Sequence, residues 1–224
     1  MSDFLESGIR RMKLLPLMIL MTGLISTMTA ASIAADEKES FIFAYRALEP
    51  ITREFDDPKK GSAFEKALTK LGCKAKVESH DGHMDVTFQQ PRWTLVTLQS
   101  EELVHKWQDW LSDAGCETLH SEGPEDHEEH DDAHKHAHDE EVEVISFQAV
   151  EWIEKHFEKA GTSAEFIVVC KALGCEFKES ADEGHTDVTF RCVKARTIEC
   201  AGHEAAEKRA EWLQKLGFAV KHDH

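Results

Sequence analysis

Proline and glycine are sparse in the 224-residue chain, at 5 and 12, and there is a single tyrosine. That excludes a collagen-like or linker-dominated protein. Positive charge is also scarce: 26 Lys plus Arg stand against 43 Asp plus Glu, a net charge of −17. Nucleic acid and anionic lipid both need a cationic surface, so no nucleic-acid partner is expected. The chain has no CxxC pair, which weakens a thioredoxin-like or cysteine-rich zinc reading. It also lacks GxSxG, HExxH, a phosphate-binding loop and a dinucleotide fingerprint. No enzyme activity is therefore expected. The remaining balance, 41% hydrophobic and 31% charged, is that of a globular protein.

The N-terminus suggests a compartment. Residues 14–35 carry no charge; Arg10, Arg11 and Lys13 precede them and Asp36-Glu37-Lys38 follows. Basic, apolar, small, then polar is the order of a signal peptide, here expected over 1–35. Pro16, Gly23 and the Ser/Thr/Ala-rich end favour cleavage over a retained membrane anchor. No cysteine lies near the cleavage region, so no lipid anchor is expected. The expected location is periplasmic or secreted, where the 6 cysteines can form disulfides.

The rest of the chain is a duplication. Shifted by 102 residues it matches itself without a gap, with 16 identities in the 53 positions from 64 to 116. Leu71-Gly72-Cys73 falls on Leu173-Gly174-Cys175, and Gly82-His83 and Asp85-Val86-Thr87-Phe88 fall on Gly184-His185 and Asp187-Val188-Thr189-Phe190. Two repeat domains follow, 41–119 and 143–221, joined by an acidic, His-rich linker at 120–142.

Each copy reads as a helical segment (50–55, 149–160), then a second helix ending at Leu-Gly (64–72, 166–174). Strands are expected at 73–79, 84–90 and 94–99, and at 175–181, 186–192 and 196–201. Ser100 can cap a helix that buries Leu103, Trp107, Trp110, Leu111 and Ala114 at helical spacing. Short final strands are expected at 116–119 and 218–221. The fold class is α+β: two tandem related repeats, each an antiparallel sheet with helices packed on one face. Most tryptophans read as core, with Trp93 expected near the surface.

The linker carries the densest chemistry. His120, His127, His130, His134, His136 and His138 are six of the 14 histidines. From 117 to 143 there are 12 acidic residues and one basic, Lys135. Neutral imidazoles and carboxylates are ligands for Zn, Ni or Cu, and a flexible segment can gather three or four around one ion. In composition the stretch resembles the His-and-acid loops of periplasmic zinc-binding and metal-transport proteins. With almost no apolar residue to bury, it is expected to lack stable structure. A transition metal ion, zinc among the choices, is the expected ligand.

A second candidate lies in the shared hairpin. A two-residue turn at Asp81-Gly82 sets His80 opposite His83 and Glu78 opposite Asp85. Alternation puts these side chains on one face, so His80, His83 and Asp85 are further candidate ligands. In repeat 2 the same register gives Asp182/His185 and Ser180/Asp187, a weaker set. A merely polar sheet face is the alternative.

Extending the second hairpin brings Cys175 opposite Cys192 at a non-hydrogen-bonded pair. There Cα atoms approach to about 4.5 Å, within disulfide reach. A disulfide is expected at this pair; small buried thiols are the alternative.

The sequence thus points to an exported protein that binds transition metal through its linker, for buffering or delivery. A membrane transporter or envelope protein would be the partner. The alternative is an envelope interaction module whose linker is only a solubilising spacer.

Overall fold

The computed structural model describes residues 40–80, 82–123, 142–182 and 184–222. The expected signal peptide lies outside them, as do His127, His130, His134, His136 and His138. Among the described residues no helix is long and apolar enough to cross a membrane.

Strand, helix, strand, strand, helix, strand occurs twice. Repeat 1 runs β1 (Phe41–Phe55), α1 (Pro58–Lys70), β2 (Lys74–His80), β3 (His83–Leu98), α2 (Glu101–Asp113) and β4 (Glu117–Leu119). Repeat 2 runs β5 (Val142–Phe157), α3 (Ala160–Ala172), β6 (Glu176–Asp182), β7 (His185–Ala201), α4 (His203–Leu216) and β8 (Ala219–His222). The antiparallel sheets have the orders β2-β3-β1-β4 and β6-β7-β5-β8. This is the split βαβ arrangement of ferredoxin-like folds, and the α+β class of two similar halves is as expected.

Local chemistry sets the element ends. Asp57 accepts a hydrogen bond from Lys59 N at 2.9 Å, and Pro58 follows it at the first helical position. Ser100 caps α2 through Leu103 N, as its sequence position predicts. Both hairpins keep the expected two-residue turn, with Gly82 and Gly184 at φ of +94° and +89°. The α2 core differs in detail: Val104 and Leu111 are its fully buried residues, with Ala114 at its end, while Leu103, Trp107 and Trp110 are half-buried.

The first helical segment expected in each copy is a strand. Residues 50–55 and 149–157 are not helical; they finish the long central strands β1 and β5. Ile51 and Phe55 are four apart, a spacing that helix and strand share. Ile51, Arg53 and Phe55 turn toward the helices while Thr52 and Glu54 are exposed, a period of two. Pro50 is tolerated because the β1–β3 register shifts between Ala47 and Ile51. The strands expected at 84–90 and 94–99 are one bent strand, β3.

The repeats share a core. Helix α3, AGTSAEFIVVCKA, has no continuous polar face, and such a helix is stable only when covered on several sides. It packs on β6 and β7 of its own sheet and on β1 and β3 of the other. Ala44 and Leu95 are a cross-strand pair and, with Trp93 and Leu119, join the apolar cluster of repeat 2. Trp93 is therefore buried, not near the surface: it is 7% exposed and its N–H faces Glu165 Oε1 of α3. Ala195 replaces it in repeat 2, where no third helix needs covering.

Polar contacts close the same junction. Arg196 donates to Ser121 Oγ at 2.8 Å and to Ser121 O at 2.6 Å, and Ser121 Oγ donates to Ala172 O at 3.2 Å. Glu122 and Thr197 exchange backbone hydrogen bonds at 3.0 and 3.2 Å. Residues 120–122, read as the start of the linker, are thus packed into the fold. Arg209 of α4 donates to Thr118 O at 3.2 Å.

A chain cut between 124 and 141 should consequently stay one particle. Gel filtration of the nicked protein should show both halves in one peak, and Trp93→Ala should cost about 3–5 kcal/mol in urea unfolding. Halves that elute separately would contradict the shared core.

Candidate metal centre

At the hairpin end of each sheet the strands display histidines and carboxylates. In repeat 1 the expected register holds: His80 faces His83 and Glu78 faces Asp85. His80 Nε2 lies 3.7 Å from Asp85 Oδ2, and the two imidazole centroids are 5.4 Å apart. Glu54 sits opposite Asp85 on β1, and its Oε1 is 3.9 Å from His83 Nε2. Glu78 is drawn aside by Lys76 at 2.5 Å, which holds its carboxyl below the usual range.

Repeat 2 is tighter than its sequence suggested. His156 on β5 sits opposite Asp187 and donates from Nδ1 to Asp187 Oδ1 at 2.7 Å. His185 Nε2 is 3.6 Å from Asp187 Oδ2, and the two rings are 4.5 Å apart. One ligand-type atom from each of His156, His185 and Asp187 lies within 4.8 Å of the others. A tetrahedral ion with bonds near 2.0–2.1 Å needs ligands about 3.4 Å apart. Small rotamer adjustments of half-exposed side chains suffice. Sequence reasoning missed His156 because its segment was read as helical; period-two alternation through Trp152, Glu154 and His156 was the available signal.

The two hairpin ends are related by an exchange. The shift of 102 residues puts His156 on Glu54 and Asp182 on His80. Each repeat keeps two imidazoles at this place, one of them traded between the outer and central strands, beside the carboxylates Glu54, Glu78 and Asp85 in repeat 1 and Asp182 and Asp187 in repeat 2.

A second kind of cluster lies where α4 begins. Glu143 accepts from His203 Nδ1 at 3.1 Å, and its Oε2 lies 2.5 Å from His222 Nε2. The His203 and His222 rings are stacked at 5.5 Å with a 28° interplanar angle. His203 Nε2 is 3.4 Å from Glu207 Oε1. Loss of solvent raises the Glu143 pKa, but the hydrogen bonds from His203 and His222 outweigh it and hold the carboxyl low. The same Glu143 contact, reinforced by its charge, raises the His203 pKa.

Repeat 1 has a related group. Glu101, His105 and Glu122 also bring ligand-type atoms within 4.8 Å of one another, with His105 Nε2 3.4 Å from Glu122 Oε1. His120, counted with the linker ligands, belongs to the fold beside it. It is buried, its Nδ1 is 2.8 Å from Ile42 O, and its ring stands edge-on to His105.

Cys175 and Cys192 face each other as expected, since the pairs 176/191 and 177/190 fix the register. They are not bonded, and all six cysteines are buried thiols. The hydrogen bond to Cys192 and then burial push the Cys175 pKa up. The same contact favours a thiolate at Cys192, against burial and with help from Arg196.

No family model matches the chain, and no curated protein matches. One solved structure, described provisionally as a glycine cleavage system transcriptional repressor, aligns at 9% identity. The alignment covers 82% of this chain and 95% of that one, with a TM-score of 0.16. That score carries no argument about fold or function.

The Glu143 contact has a pH signature. A raised His203 pKa means that charged His203 supports the fold below about pH 6.5, and that support is lost as pH rises through its folded pKa. In metal-free protein, NMR titration should place His203 above about 6.5, and Glu143→Gln should bring it down. A His203 titration that ignores Glu143→Gln would contradict this geometry.

Proposed function

We propose that this is an exported, non-enzymatic protein that binds a divalent transition ion for buffering or for delivery to a membrane transporter or envelope protein. The observation that carries the reading is the exchange between the hairpin ends. Of the 53 aligned positions from 64 to 116, 37 differ, yet each hairpin end has two imidazoles, His80 and His83 in one repeat and His185 with His156, more distant in sequence, in the other. A merely solvated face has no reason to compensate a histidine lost on the outer strand with one gained on the central strand, two places away across β3 or β7. Nitrogen and oxygen donors without thiolate suit Zn(II), Ni(II) or Cu(II). The five histidines between 127 and 138 would add capacity and fast capture.

Isothermal titration with Zn(II), Ni(II) and Cu(II) tests it. The wild-type chain should bind at least one of them with Kd well below millimolar. Replacing the five linker histidines with Asn should reduce the number of ions bound. Adding His83→Ala and His185→Ala should reduce it further. Wild-type binding weaker than millimolar for all three metals would end the metal reading.

A further inference from the structure

We infer that Glu143, His203 and His222 form a metal site of their own, holding a divalent ion of the zinc or copper(II) class through two imidazole nitrogens and one carboxylate oxygen. The inference deepens the metal-binding reading but rests on different residues from the hairpins. The three side chains come from the start of β5, the start of α4 and the end of β8. They are far apart in sequence, so the fold itself brings them together. His222 and Glu143 are held in place, with side chains 11% and 22% exposed, while His203 is 51% exposed and faces solvent. One ligand-type atom from each lies within 4.8 Å of the others. A dication there would replace imidazole protons between each ring and the carboxylate. Two nitrogens and one oxygen leave a fourth tetrahedral position for water or for a ligand of a receiving protein.

The other repeat supplies an independent observation. The 102-residue shift puts His203 on Glu101, Glu207 on His105 and His222 on His120. The helix keeps one His and one Glu a turn apart in both copies, in reversed order. The ligand-type triad found in repeat 1, Glu101, His105 and Glu122, arises at this same place. It offers one nitrogen and two oxygens. Imidazole suits zinc and copper better than carboxylate does, so the two sites are unequal and that of repeat 2 is the tighter. Neither site uses cysteine, which separates them from soft, thiolate-based copper(I) chemistry.

The test uses the full chain with His127, His130, His134, His136 and His138 changed to Asn, so that only the folded repeats supply ligands. Zn(II) is added below one equivalent and imidazole nitrogens are followed by long-range proton–nitrogen NMR. His203 Nδ1 and His222 Nε2 should shift first. His203→Ala, at an exposed position, should weaken the tightest zinc or copper(II) step at least tenfold, and Glu211→Gln, an exposed carboxylate of the same helix that pairs with Lys215, should leave it nearly unchanged. If His203 and His222 stay unshifted through one equivalent, or His203→Ala leaves affinity intact, the site is a structural hydrogen-bond network and the inference fails. The hairpin reading is scored separately: His83→Ala with His185→Ala would then change the stoichiometry while His203→Ala does not.

Discussion

Burial of α3 between two sheets is the constraint on which the rest depends. A helix whose Phe166, Val169, Cys170 and Ala172 are all buried, and whose Ile167 and Val168 are partly so, cannot be satisfied by one sheet. Repeat 1 supplies the second surface with Ala44, Trp93, Leu95 and Leu119. The repeats therefore fold as one body rather than as beads on a string. The cost is asymmetry: Trp93 is kept in one copy only, and Arg196, which reaches Ser121 across the junction, has Thr94 as its counterpart in repeat 1. The gain is that both hairpin ends and both helix-start clusters belong to one frame.

Within that frame, the two copies place ligand-type side chains differently on the two strands that flank a common partner, β3 or β7. His80 and Glu54 in repeat 1 become Asp182 and His156 in repeat 2; Glu101 and His105 become His203 and Glu207. Pairing across strands and turns of helix makes this cheap. Positions that face a common strand from either side, or four apart on a helix, present donor atoms toward the same region. Two of the clusters stand next to the His-rich segment in sequence. Glu122 lies two residues before position 124 and Glu143 two residues after 141, so the segment is tethered at both ends to ligand-bearing residues. Ions held by its histidines would meet the folded sites at high local concentration.

Much of this was legible in the sequence where local chemistry dominates. The hairpin register followed from a two-residue turn ending in glycine, and with it the His80–His83 and Cys175–Cys192 juxtapositions. The α2 start followed from Ser100 and its acidic first turn. The failures are tertiary. An Ile–Phe spacing of four fits either period, so β1 and β5 were misread, and His156 was lost with them. Trp93 is buried only because the other repeat covers it. Glu143, His203 and His222 converge through strand pairing of β5 with β8 and the packing of α4, neither of which leaves a contiguous motif.

The central claim is that the folded repeats themselves, and not only the segment between them, hold metal. Anomalous diffraction at the zinc absorption edge, from crystals of the zinc-loaded full chain, tests it most directly. The account predicts density peaks beside His156, His185 and Asp187 and between Glu143, His203 and His222, each about 2.0–2.2 Å from nitrogen and oxygen ligands. Zinc-loaded crystals without a peak at either place would contradict it.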